Sequence, residues 1–189
     1  MPSPAGGTPD AVPTGADPAD GVTVGVAVAV PEPFATELRD HRASYGDTQA
    51  FTVPTHVTLL PPTRLDSLAD VREHLAVVAR RHRAFPMLLR GTGSFRPVSP
   101  VVFVAVARGI SECELLAESV RSGPLDVETA FPYHPHVTIA HDVDARELDR
   151  AFDDLADYDA AFDVDAFTLY VHDGLDGWRT DTRFALRQD

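Results

Sequence analysis

The chain has 189 residues, 44% hydrophobic and 24% charged, enough to bury a core in one domain or two small lobes without staples. Its formal charge is −13, and all 16 of its Lys and Arg positions are arginine, with no lysine or asparagine anywhere. That acidity argues against broad, sequence-independent binding to long nucleic acids, yet it leaves room for a small anion in a cleft lined by a few arginines.

Residues 1–20 are rich in Pro, Gly, Ala and Asp and almost without large apolar side chains, the composition of a disordered tail. The β-branched run Val22–Val30 follows. Asp10, Asp17 and Asp20 precede it where a secretory signal needs basic residues, so it reads as a buried strand closed by Pro31. No stretch has the length of a membrane-spanning helix. The single cysteine, Cys113, allows no internal disulfide and reads as a buried thiol. These features lead us to expect a cytoplasmic monomer with no membrane partner and no cofactor.

In chain order, a helix is expected over 34–44. His56-Val57-Thr58-Leu59-Leu60 is then a short strand closed by Pro61-Pro62. A helix over 67–82 has Leu68, Val71, Leu75 and Val78 on one face, with Ser67 and Asp70 marking its start. A strand over 85–92 completes the first half. The second half repeats the order: a strand over 101–107, then a helix over 111–122 with Ser111 and Glu114 in capping-box spacing. After it come the strand His136-Val137-Thr138-Ile139-Ala140, a helix over 144–158, and strands over 162–172 and 178–186.

The two His-Val-Thr segments begin at similar offsets, 34 residues after Val22 and 35 after Val101. This predicts a duplicated bilobal α+β fold over 21–189, with antiparallel sheets around a central cleft and helices outside. The lobes are expected near 21–98 and 99–189, with the last strand free to return to the first lobe.

Residues two apart in a strand share a face, so His56 pairs with Thr58 and His136 with Thr138, while Val57, Leu59, Val137 and Ile139 face the core. Two imidazoles across a cleft suit phosphodiester cleavage. One takes a proton from water, and the other gives a proton to the leaving oxygen. Threonine hydroxyls can steady the phosphate oxygens. A lone His-x-Thr means little; a second copy at the equivalent point of a repeat is hard to obtain by chance.

These paired motifs resemble the 2H phosphoesterase superfamily, in particular its 2′-5′ RNA ligase-like and RNA 2′,3′-cyclic phosphodiesterase branch. Gly91-Thr92-Gly93-Ser94-Phe95 is similar to the family's G-x-G-x-F segment, and Phe167-Thr168-Leu169-Tyr170 with Gly177-Trp178 to its closing strands. The resemblance implies RNA processing. The activity would be metal-independent hydrolysis of 2′,3′-cyclic phosphate RNA ends or related small nucleotide phosphodiesters, with His136 as base and His56 as acid. Where family members often carry Arg after the second motif, this chain has His141 and then Asp142.

Strand parity places His141 outside the site. His134 shares the face of His136 if that strand starts early, as a substrate contact or, with His141, as part of a metal cluster; no completed metal-ligand spacing supports the latter. Tyr133, Phe95 and Trp178 could stack on a nucleobase or pack the rim. Arg96 could hold a phosphate or remain solvated. Two alternative functions stay open: a nucleotide or RNA-end binding module without turnover, and a metal-dependent hydrolase using His134 and His136.

Overall fold

A computed structural model of the chain describes residues 21–129, 131–172, 174 and 177–188; the tail expected over 1–20 lies outside the described residues. Among the described residues, eight strands and four α-helices follow one another as β1 (Val22–Ala29), α1 (Phe34–Ser44), β2 (His56–Leu65), α2 (Leu68–Arg81), β3 (Phe85–Ser94), β4 (Val101–Arg108), α3 (Ile110–Val120), β5 (His136–His141), α4 (Ala145–Asp154), β6 (Asp159–Val164), β7 (Ala166–His172) and β8 (Trp178–Ala185). They form two four-stranded antiparallel sheets, ordered β2-β1-β7-β8 and β5-β4-β3-β6. The architecture is α+β.

The sheets do not divide at residue 98, where the lobe boundary was expected. β3 joins the second sheet, and both β7 and β8 return to the first. The physical reason lies in the 159–172 segment, which the sequence suggested was one strand from 162. It is two strands: β6 pairs with β3, and β7 pairs with β1, with Asp165 at the crossover. α4 ends at Asp154, not near Tyr158, which frees the residues of β6.

Two other expectations need correction. β2 continues through Pro61 and Pro62 to Leu65. Proline lacks the N–H that a central strand must donate, but β2 is an edge strand, and the prolines fall where its register with β1 slips between Leu60 and Thr63. At α3, Ser111 is not the cap. Gly109, at φ +94°, turns the chain out of β4 and starts the helix at Ile110, so the Ser111–Glu114 spacing falls inside the first turn. At α2, Ser67 does cap, accepting from the Asp70 amide at 3.4 Å.

The core is continuous through both sheets and the helices on them. Val57, Leu59, Val137 and Ile139 are buried to within 1% exposure, and Cys113 is fully buried with its thiol pKa pushed up to about 12 by desolvation. Each motif strand is therefore anchored by its apolar side, which fixes the direction of the polar side.

Candidate active site

β2 and β5 are each the edge strand of their own sheet, and they approach one another across the cleft. Both strands carry the same irregularity. In the first sheet Ala27 faces Thr58 and Val26 faces Leu60, leaving Leu59 without a partner. In the second, Phe103 faces Thr138 and Val102 faces Ala140, leaving Ile139 without one. Each is a β-bulge immediately after the motif threonine, a device common beside active sites because it re-aims the side chains that follow.

The bulge overturns the expected placement of His141. Simple alternation puts it on the face opposite Thr138. The extra residue restores it to the same face, since His136, Thr138 and His141 oppose Ala105, Phe103 and Val101. His141 is only 6% exposed and lines the cleft with Thr138. Its amide donates to Asp47 Oδ2 at 3.1 Å, and Asp47 is held by Arg42 at 2.7 Å in a buried ion pair. Among the described residues its Nε2 has no hydrogen-bond partner; the nearest carboxylate is Asp142 Oδ2 at 3.4 Å.

Both motif histidines are fixed in the same way. His56 Nδ1 lies 2.6 Å from the Pro54 carbonyl, and His136 Nδ1 lies 2.7 Å from the His134 carbonyl. A carbonyl only accepts, so each Nδ1 carries a proton, which makes Nε2 the ring nitrogen able to exchange one. His56 Nε2 is 3.1 Å from Thr58 Oγ1. In both strands the carbonyl two residues upstream of the histidine sets the tautomer.

The cleft has two chambers that meet at Thr58. The first is lined by His56, Thr58, Thr138 and His141, with Gly25, Tyr170 and Trp178 from the sheet behind them. Register puts these last three on the motif face, and the bare Gly25 lets the Trp178 ring lie over the strand. The second chamber, of about 530 Å³, is lined by Thr58, His134, His136, Phe95, Tyr133 and Arg121 among others.

Around His136 stands an aromatic wall. Phe95 meets it edge-on at 4.9 Å between centroids, Phe103 lies 5.1 Å away, and the exposed His134 ring lies 6.1 Å away. Gly93 makes the wall possible. It pairs directly with Phe103, and a Cβ there would come within 2.5 Å of the Phe103 ring.

Tyr133 does more than line the chamber. Its hydroxyl donates to the Thr58 carbonyl at 3.0 Å, tying the approach to the second motif onto the first motif. Burial raises its pKa well above the ordinary phenol value, so it stays a donor. Arg96 lines neither chamber; its guanidinium pairs with Asp149 at 2.7 Å. The cation inside the second chamber is Arg121, which sequence reasoning did not single out. An arginine just past a helix C-terminus reads as a complement to the helix dipole, and nothing in its own neighbourhood signals the contact with β2. Among the described residues no group of three His, Cys, Asp or Glu is arranged to hold a metal ion, and no helix is long and apolar enough to cross a membrane.

Comparison with known proteins places the chain in a family. The profile of the 2′-5′ RNA ligase superfamily matches residues 30–176. A protein of Oceanobacillus iheyensis carrying a phosphoesterase designation is 24% identical over 174 residues, covering 87% of this chain and 98% of that protein. A similarly designated protein of Bacillus mycoides is 31% identical over 100 residues, covering 51% of this chain and 58% of the other. Among solved structures, E. coli LigT complexed with 3′-AMP superposes with a TM-score of 0.61 at 21% identity, covering 89% of this chain and 100% of that one. LigT has also been solved with ATP and with NADP+. Kluyveromyces marxianus Usb1 shares the fold at a TM-score of 0.52 and 12% identity, covering 89% and 100% of the two chains.

Proposed function

Since the chain belongs to the 2′-5′ RNA ligase superfamily, we propose that it is a metal-independent phosphodiesterase hydrolysing 2′,3′-cyclic phosphate RNA ends or related small nucleotide phosphodiesters. The observation that carries this reading is the matched pair of Nδ1-to-carbonyl bonds at His56 and His136. They give two imidazoles of one tautomer, on opposing strands, lining chambers that join at Thr58. The nucleotides bound in the LigT structures support the substrate class.

The reaction consumes one water. His136 Nε2 takes a proton from the water as its oxygen attacks phosphorus. The bond from phosphorus to one ribose oxygen breaks, and His56, protonated at Nε2, gives that oxygen its proton. The product is a phosphomonoester, and the two histidines have exchanged protonation states, which solvent resets. Each proton transfer contributes on the order of 10²–10⁴ in rate. Thr58 can accept from the His56 imidazolium and turn its own O–H toward a non-bridging oxygen, and Thr138 offers the second donor. The side chains of Tyr133, His134 and Phe95 serve substrate contact in the second chamber.

The test is a screen of 2′,3′-cyclic nucleotides and cyclic-phosphate RNA ends, in EDTA, with wild type and the His56→Ala/His136→Ala double variant. Turnover by wild type and none by the double variant is expected. Saturable binding without turnover by wild type would point to a binding module instead.

A further inference from the structure

The second chamber holds a cation that the two-histidine chemistry leaves unused. Arg121 follows the last residue of α3, and its Nε donates to the Leu59 carbonyl at 2.6 Å. Its guanidinium lies 5.0 Å over the Tyr133 ring. Thus Tyr133 and Arg121 hold two consecutive carbonyls, Thr58 and Leu59, at the bulge of β2.

Pinning the bulge needs only one of the five guanidinium N–H groups. The others have no hydrogen-bond partner among the described residues, and no described carboxylate pairs with Arg121. That sets it apart from Arg42, Arg72 and Arg96, each paired with an aspartate. Arg121 is half-buried, and desolvation draws its pKa below the ordinary guanidinium value. The only carboxylate lining this chamber among the described residues, Glu128, is exposed at its rim. A partly dry cation, preset by a carbonyl and an aromatic face in a chain of net charge −13, is arranged to receive an anion.

We propose that Arg121 is a specificity-determining residue that binds a second, non-reacting phosphate of the substrate in the chamber beside His136. The preferred substrate class is then a nucleotide or oligonucleotide end bearing a further phosphate, in preference to a nucleoside carrying the cyclic phosphate alone. The scissile phosphate is served by the two threonine hydroxyls and the two Nε2 atoms on the motif face. Arg121 reaches β2 by its backbone at the bulge, one residue beyond Thr58, so its free N–H groups address a neighbouring group.

This inference rests on reading the cleft as a nucleotide site, but its test needs no turnover, so the two can fail separately. Titration calorimetry of the full chain with 3′-AMP and adenosine 3′,5′-bisphosphate gives a ratio of Kd values. Wild type is expected to bind the bisphosphate at least about tenfold more tightly, the scale of one charge-assisted pair. Arg121→Gln keeps a donor for the Leu59 carbonyl and removes the charge. It should bring the ratio to near one while changing the 3′-AMP Kd less than about threefold. Arg121→Lys keeps the cation without the planar fork and should give an intermediate ratio. A wild-type ratio near one, an Arg121→Gln variant weakened equally toward both ligands, or a lysine or glutamine ratio equal to wild type would overturn the assignment. Should the glutamine variant not fold, the lysine variant alone decides on the same terms. Binding of neither nucleotide to wild type would overturn it together with the nucleotide reading.

Discussion

The two motif strands share a backbone and differ in their neighbours. β2 and β5 are both edge strands, both bulge just after the threonine, and both fix the histidine through a carbonyl two residues upstream. Yet His136 stands against Phe95 and Phe103, whereas His56 contacts the Thr58 hydroxyl and faces a chamber that contains Arg42, Gln49 and His141. The repeat thus sets where two equivalent groups stand, and the proposed mechanism assigns them unequal tasks.

Breaking either member tests the pairing most strongly. His56→Ala and His136→Ala should each lower kcat on a 2′,3′-cyclic nucleotide by about 10²–10⁴, the range for one proton-transfer group. Near-normal turnover in either single variant would separate the two strands functionally and sink the shared mechanism.

A one-sided perturbation sharpens the contrast. Gly93→Ala forces the Phe103 ring to move and should cost about 1–3 kcal/mol of stability in urea unfolding, as overpacking does. It should also depress activity through the His136 side. An unchanged stability would mean that the aromatic wall is not tightly set. Tyr133→Phe removes the hydroxyl bond between the approach to β5 and the Thr58 carbonyl, for an expected loss of about 1 kcal/mol. A neutral result there would mean that the two motif strands hold their spacing without this link.

The smallest effect lies away from the cleft and serves as a control. Burial lowers the pKa of His82, whose Nε2 is 2.8 Å from Ser119 Oγ. The unfolded chain therefore binds a proton at higher pH than the folded one. The stability that this neutral histidine contributes is present above about pH 6.5, the ordinary histidine value, and is lost as pH falls through the lower folded value. His82→Gln should slightly flatten the acid decline in stability and leave turnover unchanged; altered turnover would extend the functional site to the α2–α3 contact.

Periodicity carried much of this architecture. Val57, Leu59, Val137 and Ile139 alternate with the polar motif positions, and that alternation alone oriented both His/Thr pairs. The helix over 34–44 was legible to the residue, and Ser67 announced the start of α2. What local pattern could not carry was anything set by tertiary pairing. The bulge at Ile139 reverses the parity of His141, and no residue type marks it. β6 forms only because β3 offers it an edge, so local pattern leaves Asp159-Ala160-Ala161 unassigned between a helix over 144–158 and a strand from 162. Arg96, adjacent in sequence to Phe95, is drawn to Asp149, while Arg121 enters the chamber from a distant helix.

The most direct test of the central claim is the pH–rate profile of 2′,3′-cyclic AMP hydrolysis by wild-type protein in EDTA. Two histidines working as acid and base predict a bell-shaped kcat/KM with both limbs governed by histidine-range ionisations, and full activity without added metal. A monotonic profile, or activity that appears only when a divalent metal is restored, would contradict the account.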